Sequence, residues 1–199
     1  MNSEAQRDYF SVFSLPPHLV IDTSALEKSF YALSRKLHPD RFAARPIAEQ
    51  EAALAESSRL NDAYRTLKDP IARTEYLLKL EGIELEEQSS AATAAARASG
   101  TAKKQVVPED LLEEAFELNM QLEEMKMGDD DPQLRADLQR AKADFDAKLA
   151  ATDADLAGLH SEWDAAVDAS SPDAQTAARD AMVALLNRRS YLRNLVRDV

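Results

Sequence analysis

The sequence predicts an all-α fold, on three observations. Glycine is scarce, at four residues in 199, while Ala, Leu, Glu, Asp and Arg dominate, which is a helical composition. Apolar residues recur at intervals of three and four, the spacing that gathers them on one helix face. Pro and Asp stand where these stretches begin or break, as they do at helix starts.

The bulk properties narrow the chemistry. There is no cysteine, which excludes disulfide staples and thiolate metal or redox sites. The N-terminus has no apolar signal core, and no run approaches the length of a membrane span, so a cytosolic protein is expected. Residues 1–80 balance 11 basic against 11 acidic side chains, while residues 81–199 hold 13 against 25 and carry the whole net charge of −12. Such a field repels nucleic acid and anionic membrane. It suits a basic or metal-bearing partner, or serves solubility alone. A glycine-rich phosphate loop, Cys/His metal spacing and a nucleophile motif are all missing, and His18, His38 and His160 are scattered. The sequence therefore implies no cofactor, no bound metal and no enzyme.

The first element is a short helical start at Asp8-Tyr9-Phe10-Ser11-Val12-Phe13, with Tyr9, Phe10 and Phe13 placing rings on one side and Leu15-Pro16-Pro17 ending it. Asp22 or Thr23 caps the second helix. Its stripe is Leu26, Phe30, Leu33 and Leu37, and on another face Lys28, Ala32 and Arg35 line up with Lys36 adjacent. Pro39 lacks an amide donor and disfavours helical geometry at the residue before it, so this helix should stop near His38. Asp40 should then accept backbone donors in the turn. A third helix begins near Pro46, with a seam of Ala53, Ser57, Leu60, Tyr64 and Leu67 that suits antiparallel packing on the second. Pro70 ends it, and Ile71 to Leu80 forms a fourth helix stopped by Gly82.

The tripeptide His38-Pro39-Asp40 thus sits in the link of a helical hairpin, at the end of a cationic row. That combination resembles the J-domain, which engages ATP-driven chaperones of the heat-shock protein 70 family. Leu60-Asn61-Asp62-Ala63-Tyr64 and Leu67-Lys68-Asp69-Pro70 fit the same pattern. With Asp8-Tyr9-Phe10, Phe13, Leu15-Pro16, His-Pro-Asp-Arg-Phe and Glu75-Tyr76-Leu77-Leu78, the chain is similar to the HscB family of J-type co-chaperones of iron–sulfur cluster assembly. The resemblance implies that His38, Pro39, Asp40, Lys28, Arg35, Lys36 and Arg41 dock on a chaperone of the HscA type and stimulate its ATPase.

Residues 84–107 lack periodicity and read as a linker or long loop. Pro108 then opens a helix that reaches Met127 and closes at Gly128. It carries two apolar stripes. Leu111, Ala115, Leu118, Leu122 and Met125 suffice for packing, which leaves Leu112, Phe116 and Met120 among Glu113, Glu117, Glu123 and Glu124 in need of a reason. Exposed apolar rows rimmed by charge mark interaction sites, and burial in a wide groove is the other reading. The HscB resemblance implies the first, with the cluster scaffold protein, of the IscU type, as client. It carries that role to Leu112, Phe116, Glu117 and Glu124, with Met120 on the same row. Met120 departs from the family's acidic residue there, and Glu113 from an apolar one.

Asp129-Asp130-Asp131-Pro132 reads as the cap and first turn of a helix running to about Asp168, with a phase slip near Thr152-Asp153. Ser171-Pro172 breaks the chain before a last helix, Asp173 to about Val196, whose Met182 could add to the client patch or pack in the core. The expected organisation is a J-domain over 6–82, a linker over 83–107 and a C-terminal three-helix bundle over 108–198. A J-protein with another client, and a structural helical adaptor that happens to contain His-Pro-Asp, are the competing readings.

Overall fold

The computed structural model describes residues 8–83, 108–127 and 131–199. The expected linker over 84–107, the Gly128 stop and the Asp129-Asp130 part of the cap lie outside them. Every regular element among the described residues is helical. The α-helices are α1 (Tyr9–Val12), α2 (Thr23–Lys36), α3 (Ile47–Lys68), α4 (Pro70–Leu80), α5 (Leu112–Lys126), α6 (Pro132–Asp168) and α7 (Pro172–Asp198). Two 3-10 turns, Pro39–Arg41 and Glu109–Leu111, precede α3 and α5. No helix among the described residues is long and apolar enough to cross a membrane.

The helix starts follow the anticipated chemistry. Asp8 caps α1, Asp22 accepts from the Ser24 and Ala25 amides to cap α2, and Asp69 accepts from Ala72 to cap α4 ahead of Pro70. Asp131 accepts from the Gln133 amide ahead of α6. Gly82, at φ +81°, closes α4, with the Ile83 amide donating to the Leu78 carbonyl at 2.9 Å.

The chain divides into two compact units, and the division is not collinear with sequence. One takes the described part of Met1–Glu84 together with His160–Thr176; the other takes the described part of Leu85–Leu159 with Ala177–Val199. In the first unit, α3 packs against α1, α2 and α4. Its buried side chains include Phe10, Leu26, Ala53, Leu60, Ala63, Leu67, Leu77 and Leu78. Tyr9 stacks on Tyr76 at 4.3 Å between ring centroids, and Phe30 on Tyr64 at 4.2 Å. The α2 stripe is only half-buried beyond Leu26, because Phe30, Leu33 and Leu37 have α3 on one side alone.

His160–Thr176 completes this unit through polar contacts that the apolar pattern does not announce. Both Asp164 carboxylate oxygens accept from the backbone, from Leu19 N at 2.6 Å and Val20 N at 2.9 Å. The Trp163 indole donates to the Pro17 carbonyl at 3.1 Å. His160 is buried, with Nε2 2.7 Å from Thr74 Oγ1. The Thr74 hydroxyl spends its one hydrogen on the Pro70 carbonyl, so His160 donates from Nε2. Arg73, also buried, gives a guanidinium hydrogen to the Leu67 carbonyl.

The second unit is a three-helix bundle. Leu111, Ala115 and Leu118 of the α5 end pack with Leu134, Leu138 and Phe145 of α6 and Leu192 and Leu195 of α7. The phase slip is absorbed inside α6 rather than by a break. Thr152 occupies a buried position and returns its hydroxyl to the Lys148 carbonyl, one turn back. Arg189 pairs with Asp153 at 2.6 Å, and Lys142 Nζ donates to the Val196 carbonyl at 2.9 Å.

The buried imidazole makes stability pH-dependent. Burial first, and the Arg73 charge second, hold His160 below its ordinary value of 6.5, with Asp164 opposing them. The unfolded chain therefore binds this proton more readily than the fold does. The His160 contribution is present above about pH 6.5 and declines as the pH falls through and below that value. In urea denaturation at pH 7.5 and 5.5, His160→Gln should lose less stability on acidification than the parent protein. Equal losses would place the imidazole outside this role.

Candidate functional sites

The His-Pro-Asp corner is built by its own proline. The α2 helix ends at Leu37, whose amide donates to the Leu33 carbonyl at 3.0 Å. His38 is extended, at φ −61° and ψ 130°, as a residue before proline must be. Pro39 opens the 3-10 turn, held by Arg41 N to His38 O at 3.0 Å and Phe42 N to Pro39 O at 2.9 Å. The expected roles inside the turn are exchanged. His38, not Asp40, is the cap: its Nδ1 accepts from the Asp40 amide at 3.3 Å. The histidine precedes the proline-led turn and so occupies the capping position. With Nδ1 as acceptor, a neutral imidazole carries its hydrogen on Nε2. Asp40 Oδ2 stands 3.4 Å from Nδ1, and its side chain is 89 % exposed. Beyond the turn, Gln50 Nε2 donates to the Arg45 carbonyl at 2.8 Å and ties the following loop to the first turns of α3.

Every side chain expected here is on the surface. His38, Pro39, Asp40 and Arg41 are exposed on the turn, and Lys28, Arg35 and Lys36 are exposed along α2. Lys28 and Arg35 are seven residues apart and share a face. Sequence reasoning missed Tyr31, exposed on the same side of α2. Its spacing from Lys28 and Arg35, three and four residues, was the available signal.

The second surface lies on α5. The core stripe is Leu111, Ala115 and Leu118, with Leu122 half-buried, and it ends there; Met125, expected to continue it in the last turn, is exposed. Leu112, Phe116 and Met120 are 59 %, 66 % and 52 % exposed, so the spare stripe faces solvent rather than a groove. Glu113, Glu117, Glu123 and Glu124 are exposed beside it. Met182 does not join them. It is fully buried, because its position on α7 belongs to the inward face with Ala178 and Leu186. Met127, 85 % exposed, falls on the apolar row seven residues after Met120 and was missed.

The start of α5 is anchored on its other side. Arg188 Nη1 donates to both oxygens of Asp110, at 2.8 and 2.6 Å, and that bond holds the Asp110 carboxyl below the usual range. Lys148 pairs with Glu114. Among the described residues no group of three or more metal-ligating side chains is gathered.

The chain is similar to known proteins over the first of these surfaces and over the fold as a whole. Residues 8–76 match the DnaJ domain family. The chaperone HscB from Vibrio cholerae aligns with a TM-score of 0.52 and 26 % identity over 94 % of this chain and 96 % of its own. The human co-chaperone protein HscB shares the fold, with a TM-score of 0.57 and 23 % identity over 98 % of this chain and 83 % of its own.

Since the α5 row is spare, removing it should spare the fold. Leu112→Ser with Phe116→Ser is expected to cost under about 1 kcal/mol in chemical denaturation, mostly helix propensity. Phe145→Ala in the buried cluster is expected to cost about 3–5 kcal/mol. A double variant as destabilised as Phe145→Ala would return the row to the core.

Proposed function

The chain is a J-domain co-chaperone of the HscB type, and from that premise we propose that it hands an iron–sulfur scaffold protein to an ATP-driven chaperone. The chaperone is of the heat-shock protein 70 family, HscA type, and the client is of the IscU type. Residues 8–83 supply the chaperone contact and residues 108–198 the client contact. The observation that carries the reading is an exposed His38-Pro39-Asp40 corner at the end of the Lys28, Arg35 and Lys36 row, with Arg41 beside it.

The chemistry follows from these groups. The cationic row meets an acidic chaperone surface and raises the rate of encounter. The corner then presents the His38 Nε2 donor and the Asp40 carboxylate in a fixed relation, because Pro39 removes freedom from the turn. On the bundle, Leu112, Phe116 and Met120 offer apolar area that client binding removes from water, while Glu117 and Glu124 select a basic rim. Holding client and chaperone on one chain raises their effective concentration toward each other. The protein hydrolyses nothing itself and works in a reducing cytoplasm.

A J-protein serving another client is favoured by one feature: Met120 and Glu113 depart from the pattern expected of the scaffold-binding face. A pull-down that recovers no cluster scaffold would support it.

His38→Gln should fold normally and abolish stimulation of the partner ATPase in a steady-state assay; undiminished stimulation would remove the corner from the mechanism. By calorimetry, Leu112→Ser with Phe116→Ser should weaken scaffold binding at least tenfold, on the order expected for two anchors in the centre of an interface. Unchanged binding would move the client elsewhere.

A further inference from the structure

We propose that Met120 and Met127 make the client face oxidation-sensitive, so that peroxide turns client binding off while leaving the chaperone contact intact. The inference rests on the client reading of α5 and adds a regulation to it. Two sulfurs sit on the apolar row, 52 % and 85 % exposed. Met127 is one residue beyond α5, whose last turn is held by the Met127 amide donating to the Glu123 and Glu124 carbonyls at 3.0 and 3.1 Å. Seven residues separate it from Met120, two helical turns along the same face, so the row Leu112, Phe116, Met120, Met127 ends in thioethers.

The chain has no cysteine, so its methionines are the sulfurs through which it can sense an oxidant. Of these, Met182 is fully buried and shielded from peroxide, Met125 is 38 % exposed on α5 but lies off the row, and Met120 and Met127 on the row are the more open to it. The step is a two-electron oxygen transfer. A hydroperoxide gives its terminal oxygen to the thioether sulfur, the O–O bond breaks, an S–O bond forms, and water or an alcohol leaves. Methionine becomes the sulfoxide, and the peroxide is reduced.

The product changes the surface in two ways. A flexible apolar side chain acquires a strong dipole with an acceptor oxygen, which resists desolvation in an apolar interface. It also arrives among acceptors already present, since Glu123 and Glu124 flank the same turn. Glu123 is paired with Lys126 at 2.8 Å, so this cation is already engaged. The sulfoxide thus meets little on its own helix to satisfy it. The His38 corner carries no sulfur and is unchanged by the same reagent.

The full chain is treated with hydrogen peroxide, oxidation at each methionine is read by peptide mass spectrometry, and affinity for purified IscU-type scaffold is read by calorimetry. Each protein is referred to its own untreated sample, so starting affinities need not match. The parent protein should bind the scaffold about tenfold more weakly once Met120 and Met127 are oxidised, the loss expected from one poorly satisfied polar group in an interface. Met120→Leu with Met127→Leu should change less than twofold on the same treatment. Stimulation of the chaperone ATPase without client should persist in both. Oxidised parent protein with full affinity would overturn the switch alone, as would a Leu variant that loses as much as the parent. An untreated protein that never binds the scaffold would overturn both the switch and the client reading beneath it.

Discussion

A proline contributes no amide hydrogen to a helix, and that single deficit decides where this chain turns. Six of its eight prolines stand at or immediately before the start of a helical element: Pro39, Pro46, Pro70, Pro108, Pro132 and Pro172. At the first helical position the missing donor costs nothing, since that amide would have no partner in the helix. A side chain before it then caps the next amides, as Asp69 and Asp131 do. The His38-Pro39-Asp40 corner is one instance of this device, with a histidine in place of the aspartate. The substitution matters because imidazole caps the turn through Nδ1 while its second nitrogen, on the far side of the ring, takes no part in the cap.

With so little glycine, the rods between these corners are regular, and regular rods can bury one face and leave another spare. The α5 helix shows the result most plainly. Leu111, Ala115 and Leu118 are buried to within a few per cent, while Leu112 and Phe116, one residue further along, are more than half exposed. Electrostatics divides the labour as well. The first eighty residues are balanced in charge yet gather Lys28, Arg35, Lys36 and Arg41 toward one turn, and the acidic excess lies wholly beyond them.

Periodicity and punctuation made most of the fold legible. The stripes on α3 and α5, the 37-residue span of α6 and the Gly82 stop all follow from spacing and from residues with restricted backbones. The His-Pro-Asp corner and the spare α5 row were legible for the same reason, since both are local. What escaped was non-local. Nothing in the local pattern says that Asp164 will cap the amides of Leu19 and Val20, or that His160 will find Thr74 across 86 residues. A buried histidine and a buried arginine look like any surface pair until their partners are known. Met182, which the sequence left between client patch and core, lies in the core, and Met125 was misread for a related reason. Spacing gives the phase of a face but not where along the helix its neighbour ends.

The Asp164 and Trp163 contacts mean that the N-terminal module is discontinuous in sequence. A graft of residues 8–83 into another scaffold would leave the Leu19 amide, in a fully buried residue, without its carboxylate acceptor, and Pro17 without its indole donor. Transplanting the module intact requires carrying the hairpin tip from 160 to 176 as a second piece. Insertions or deletions that shift the register of α6 ahead of that tip would be felt at Pro17, Leu19 and Val20, more than a hundred residues upstream.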